Sequence, residues 1–209
     1  MRILRRDSYR SVPWKNGQGT TREILRHPSE GADFLWRLSI AEVGQSGPFS
    51  AFPGYQRIIM LLRGDGFVLR FDDGREQDLR KPNAPFRFDG GDAVSCVLEG
   101  GASQDLNLML RNDLICTDCE VLALNGRQIL PSVAGGTRLL FCLKEGIRLD
   151  YEKSEFREAP ERLGRWDTAI LLSDETVSLE AELESDAGLF HALIFAPRGP
   201  AAVLQTDVR

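Results

Sequence analysis

The stretch Gly44–Phe71, GQSGPFSAFPGYQRIIMLLRGDGFVLRF, decides the fold class. Gln56–Leu62 and Phe67–Phe71 are runs of strand length, rich in aliphatic and aromatic residues, separated by Gly64-Asp65-Gly66. Glycine on either side of an aspartate gives a tight turn without steric cost, so the stretch predicts a β-hairpin. Pro48, Pro53 and Gly54 mark a loop leading into it. Working outward, Phe34–Val43 alternates cleanly: Phe34, Trp36, Leu38 and Ile40 fall on one face, Leu35, Arg37, Ser39 and Ala41 on the other. Met1–Tyr9, Thr20–Leu25, Pro85–Phe88, Asp92–Leu98 and Asp105–Arg111 are further short strand candidates. No helical period of useful length appears in residues 1–120. Short strands punctuated by Gly, Pro and Asp predict an all-β barrel or sandwich.

Composition narrows the function classes. At 209 residues with 42% hydrophobic content, the chain is long enough to bury a proper core. A net charge of −5 argues against nucleic acid as a partner, because phosphate contacts need clustered Lys and Arg. No apolar run approaches the roughly 18–20 residues of a membrane span, so no membrane partner is expected. MRILRRDSYR is basic, but no apolar segment follows it as a signal peptide requires. The four cysteines (Cys96, Cys116, Cys119, Cys142) do not form a disulfide framework for this length. These features predict a cytoplasmic location. Cys116-Thr117-Asp118-Cys119 lacks the second ligand pair of a zinc site and reads as a connecting loop.

The second half repeats the first faintly. Gly54–Gly64 has a counterpart in Gly136–Gly146, Arg87–Asp92 in Leu163–Asp167, and Leu106–Leu110 in Leu189–Ile194. Similarity held in order at an offset of about 80 residues points to duplication of one barrel unit. Two domains are expected: 1–118, carrying the candidate pocket, and 119–209, mainly structural.

The opening stretch also carries a spacing. Metal-binding β-barrels of the cupin class carry Gly, five residues, His, one residue, His, three or four residues, Glu, six residues, Gly. Here that spacing falls on Gly44, Ser50, Phe52, Arg57 and Gly64. Ser50 and Phe52 stand where imidazoles would bind a metal, and the Arg57 guanidinium stands where a carboxylate would. In the second motif the expected His falls near Ser103 or Gln104. His27 and His191, the two histidines of the chain, lie outside the motif and read as structural. No metal and no other cofactor is expected.

A fixed cation in place of a carboxylate repels metal and attracts anions. The strand Asp105–Arg111 puts Leu106, Leu108 and Leu110 on one face, and Asp105, Asn107, Met109 and Arg111 on the other. Arg37, Ser39 and Arg57 share that second face by strand parity. One face of a small barrel lines a lumen that holds one ligand. Arginines with an amide and a hydroxyl suit a small carboxylate, held by forked, charge-assisted hydrogen bonds. Trp14-Lys15-Asn16-Gly17-Gln18-Gly19 is a turn-rich loop placed to act as a lid, with Trp14 as apolar cover, Lys15 as charge and Asn16 as amide.

PWKNGQGTTREI, FLWRLSIAEVGQSGPFSAFPGYQRIIMLLRGDG, and FDGGD followed by DLNLMLR together resemble the HutD/Ves family over roughly residues 1–115. The resemblance implies a bicupin without the usual metal ligands. For HutD members it implies a governor that limits histidine utilisation by binding a pathway intermediate such as formylglutamate or urocanate; Ves members are linked to environmental stress. Carried over by motif, the ligand-binding residues are Trp14, Lys15, Asn16, Glu23, Arg37, Ser39, Arg57, Asp105, Asn107 and Arg111. This chain departs from the family at Gln18, commonly Gly, and at Asn112, usually Arg.

Residues and resemblance together give a metal-free, all-β bicupin: a small-molecule-binding regulatory protein taking a small carboxylate, with no catalytic residue assigned. The alternative is a metal-independent isomerase or hydrolase using Lys15, Glu23 or Asp105 as acid or base. An interaction scaffold with a vestigial pocket is the third reading. Unpaired edge strands offer a route to a homodimer.

Overall fold

The computed structural model describes residues 1–14, 19–31, 33–153, 156–157, 160–172, 175–181 and 188–195. Apart from one turn of 3-10 helix at Arg6–Ser8, their regular structure is entirely β. Among the described residues, no helix is long and apolar enough to cross a membrane.

The chain forms two compact units, one built from Tyr9–Asn112, the other from Met1–Ser8 and the described residues from Asp113 onward. The division falls six residues before the expected boundary at 118, and the first eight residues belong to the second unit rather than the first. A strand at the very N-terminus explains this: β1 (Arg2–Leu4) pairs with a strand near Thr168–Leu171. Arg5 holds the segment there, its guanidinium donating to Asp167 and Glu161, each at 2.8 Å.

The Tyr9–Asn112 unit contains β2 (Arg10–Pro13), β3 (Gly19–His27), β4 (Trp36–Val43), β5 (Gly47–Pro48), β6 (Tyr55–Arg63), β7 (Phe67–Phe71), β8 (Glu76–Asp78), β9 (Phe86–Asp89), β10 (Val94–Leu98) and β11 (Ser103–Arg111). They form a sheet in the order β2-β3-β4-β11-β6-β9 and a second in the order β5-β10-β7-β8. The predicted hairpin is β6–β7. Its turn has Gly64 at φ 98° and Gly66 at φ 78°, and a Cβ on Gly64 would lie 2.6 Å from the Ala102 carbonyl oxygen. Both strands then send alternate side chains inward. Ile59, Phe67, Leu69 and Phe71 meet Val43, Phe88, Val94 and Cys96 in a closed apolar core.

The other unit contains β12 (Ile115–Ala123), β13 (Arg127–Leu130), β14 (Gly136–Cys142), β15 (Ile147–Lys153), β16 (Phe156–Arg157), β17 (Glu161–Leu163), β18 (Thr168–Leu171), β19 (Thr176–Ala181) and β20 (Gly188–Phe195). Its sheets run β1-β18-β14-β20-β12 and β13-β19-β15-β16, with β17 beside β15. Read as β12-β20-β14-β18, the first repeats β4-β11-β6-β9; β13-β19-β15-β16 repeats β5-β10-β7-β8. The Gly54–Gly64 and Leu106–Leu110 pairings therefore fall on corresponding strands. The Arg87–Asp92 pairing does not: the counterpart of β9 is β18, and Leu163–Asp167 is the end of β17 and the turn before β18.

Cys116–Cys119 is not a connecting loop. It lies inside β12, where the register to β20 shifts between Thr117 and Glu120 and Asp118 takes φ 50°. The motif marks a β-bulge, whose extra residues obscure the period-2 pattern by which a strand is recognised.

Candidate functional site

The site is built on three adjacent strands. Arg37 of β4, Met109 of β11 and Arg57 of β6 stand directly opposite one another, and Ser39, Asn107 and Ile59 form the next row. Residues in register share a face, so both rows point to one side of the sheet. They open onto a cavity of about 420 Å³ lined by Arg37, Ser39, Arg57, Asn107 and Met109, with Pro48, Phe49, Ser50 and Phe52 from the loop around β5. This is an ordinary size for a small-molecule site.

Arg57 is 5% exposed, with both terminal nitrogens hydrogen-bonded and its Nε without a partner among the described residues. Its Nη2 donates to Asn107 Oδ1 at 2.8 Å and its Nη1 to the Ser50 carbonyl at 3.3 Å. Its guanidinium carbon lies 5.1–5.8 Å from the ring centres of Phe49, Phe52 and Phe88. Each such stacking contributes about 0.5–2 kcal/mol when desolvated. Burial pulls the Arg57 pKa down to about 10, and the charge survives at neutral pH. Asn107 passes the interaction inward: its Nδ2 donates to Asp105 Oδ1. Asp105 is fully buried, its Oδ2 has no hydrogen-bond partner among the described residues, and burial raises its pKa to about 7 against the opposing pull of Arg57.

Arg37 differs. Its Nη2 donates to the Met109 sulfur at 3.2 Å, a weak acceptor, where the Arg57 Nη groups meet oxygens; its Nε, like that of Arg57, has no hydrogen-bond partner among the described residues. Its guanidinium lies 5.1 Å from the Phe34 ring centre and 5.4 Å from that of Phe52. Burial lowers its pKa, and the charge of Glu23 partly offsets this. A guanidinium that donates to a thioether and has an unpartnered Nε keeps donors for an incoming anion.

The mouth is formed by the β2–β3 hairpin. Trp14 N–H donates to the Gly19 carbonyl at 2.9 Å, closing the loop, and Trp14 Nε1 donates to Thr21 Oγ1 at 2.7 Å. A Cβ on Gly19 would lie 2.9 Å from the Trp14 ring, so glycine here makes room for the indole. Pro13, Trp14 and Thr21 line the cavity. Lys15 and Asn16, expected in the same loop, lie outside the described residues.

Of the other expected residues, Trp14, Arg37, Ser39, Arg57 and Asn107 are brought together around the cavity. Asp105 sits one row deeper, opposite Ala41 and Leu61, and is joined through Asn107. Glu23 is the register partner of Ser39 on the same sheet face but is not part of the lining. Arg111 is not brought to the cavity: it is exposed at the end of β11, opposite Tyr55. Phe49, Phe52 and Phe88, which cage Arg57, were absent from the expected set. The FSAF run and the Phe86/Phe88 alternation carried the signal, but stacking across separate strands is invisible to spacing.

Ser50, Phe52 and Arg57 do converge on one cavity, as the Gly44–Gly64 spacing requires. The donor set does not fit a divalent metal, because a buried guanidinium and an aromatic ring occupy the ligand positions. Among the described residues, no group of three or more His, Cys, Asp or Glu could hold a metal ion.

Two barrels of matching strand order, the first with this motif around its cavity, define a bicupin. Residues 6–189 match the HutD family, and the chain belongs to that family. It is 40% identical over 184 residues to a 21.2 kDa protein in the hutC 3′ region of Pseudomonas putida, covering 87% of this chain and 93% of that one. Among solved structures it is similar to a conserved protein of Pseudomonas aeruginosa PAO1, with a TM-score of 0.81, 34% identity, and 93% and 98% of the two chains covered. It is also similar to HutD of Pseudomonas fluorescens SBW25, solved in a formate condition, with a TM-score of 0.75, 32% identity and coverage of 95% and 99%.

Proposed function

We propose that this chain is a cytoplasmic small-molecule-binding regulator of the HutD type, limiting histidine utilisation by binding a small carboxylate intermediate, formylglutamate or urocanate. The observation that carries this reading is the pair of arginines on one cavity, with Arg37 keeping hydrogen-bond donors uncommitted. Arg37 and Ser39 supply direct contacts, and Arg57, held by Asn107 and its aromatic cage, supplies a fixed positive field. Family membership supports the pathway.

A thermal-shift series with formylglutamate, urocanate and glutamate tests the reading, since a ligand that binds only the folded state raises its stability. At least one of these acids raises the melting temperature, and a strain lacking the chain consumes histidine faster. No shift with any of the three at millimolar concentration contradicts the binding role.

Metal-independent acid–base catalysis draws on Asp105, whose pKa near 7 suits proton transfer. Asp105 stands behind Asn107 rather than at the cavity wall, so binding is the better-supported reading.

A further inference from the structure

The second barrel contains buried polar groups that its expected structural role does not use. Strand pairing fixes their position. In the first unit a row runs Arg37, Met109, Arg57, Phe88; the corresponding row runs Thr117, Leu193, Arg138, Leu171. The next rows are Ser39, Asn107, Ile59 and Glu120, His191, Leu140. Arg138 thus takes the place of Arg57, and His191 that of Asn107. Both share strand parity with Leu140, Cys142 and Leu189, which belong to the core closed by Leu149 and Leu179 of the facing sheet. Both therefore face the inside of the second barrel.

Arg138 is 6% exposed and His191 4%. Arg138 donates one hydrogen bond, from Nη2 to the Pro131 carbonyl at 2.9 Å, and its Nε has no partner among the described residues. Neither ring nitrogen of His191 has one either. Burial and the nearby Arg138 charge push the His191 pKa down to about 4, so the ring is neutral at pH 7, with one N–H donor and one bare acceptor. Polar atoms buried in this way are satisfied in a folded protein by water or by a ligand.

We infer that the second barrel holds a second ligand site, in which Arg138 and His191 receive a short aliphatic monocarboxylate. Arg138 Nε–H and the His191 N–H are the donors to the carboxylate oxygens; Leu140, Leu171 and Leu193 form the wall for the alkyl tail. The charge of Asp118 reaches both Arg138 and His191, which favours a monoanion over a phosphate dianion. The site differs from the first, where two arginines line one cavity.

Imidazole nitrogen NMR of the full chain tests this, because the chain contains only two histidines, His27 and His191. Sodium butyrate should shift the His191 ring signals saturably, while the His27 signals stay in place. The shift should persist in Arg37→Ala, which separates this site from the first. It should vanish in Arg138→Gln, whose His191 signals also report whether the barrel remains folded. His191→Asn, which introduces the amide found at the corresponding position of the first barrel, guards against misfolding of the arginine variant: it should abolish the heat of butyrate binding while keeping the melting transition. His191 signals unmoved by butyrate at tens of millimolar mean the groups are satisfied by water alone, and overturn the proposal. An equal shift with sodium phosphate overturns the carboxylate assignment.

Discussion

At the scale of single residues, the first cavity divides its work between two arginines in different states. Arg57 is locked by Asn107, the Ser50 carbonyl and three rings, whereas Arg37 is stacked on two rings and donates to the Met109 thioether. Losing a charged hydrogen-bond donor to a ligand costs about 1.5–3 kcal/mol, roughly 10- to 100-fold in affinity. Arg57→Lys should weaken binding as well, because an ammonium cannot span Asn107, Ser50 and the rings at once. Asp105 adds a pH dependence. Arg57 and Cys96 are the titratable groups whose charge couples to it, and burial places the pKa of Asp105 itself at about 7. Below that pH it is neutral and Arg57 loses its counter-charge, so the cavity becomes more positive while ligand carboxylates remain ionised. Affinity for the acid should therefore rise from pH 8 to pH 6. Calorimetry at the two pH values checks this, and Asp105→Asn should bind tightly at both.

At the scale of elements, strand parity determined which side chains share a face but not how far along the strand the cavity reaches. Arg37, Ser39, Arg57 and Asn107 were legible for that reason. Arg111 has the same parity and yet lies exposed at the strand end. The cage of Phe49, Phe52 and Phe88 was not legible, because it joins a loop and two strands that only the folded register brings together. The β12 bulge was hidden by its own irregularity. The duplication was legible, but glycine-to-glycine alignment sets Arg57 against Leu139, one residue off. In a strand, a slip of one residue transfers every side chain to the opposite face. That slip concealed Arg138 and made the second barrel read as scaffold. The β2–β3 hairpin offers a test at this scale. Gly19→Ala would push a methyl group into the Trp14 ring and the Glu42 carbonyl. The expected result is a red-shifted Trp14 fluorescence and weaker binding in a folded protein.

At the scale of the whole molecule, the two barrels respond oppositely to acid. Asp105 has a folded pKa raised to about 7 from 3.8, so the folded state holds more protons across that interval and stability falls as pH rises through it. His191 has a folded pKa lowered to about 4 from 6.5, so the unfolded state holds more protons and stability rises with pH over that range. Melting of Asp105→Asn should show stability increasing from pH 4 to pH 6.5 and then levelling, and His191→Asn should show the reverse trend. The same strand order thus carries two differently charged interiors, and the chemistry of each follows from one arginine and its partner on the neighbouring strand. The first of them is the proposed ligand site. Isothermal titration of formylglutamate and urocanate into the wild-type chain and into Arg37→Ala measures it directly. Saturable binding of at least one acid, weakened roughly 10- to 100-fold by the substitution, is the predicted result. Absence of binding at millimolar concentration, or equal affinity in both proteins, would contradict it.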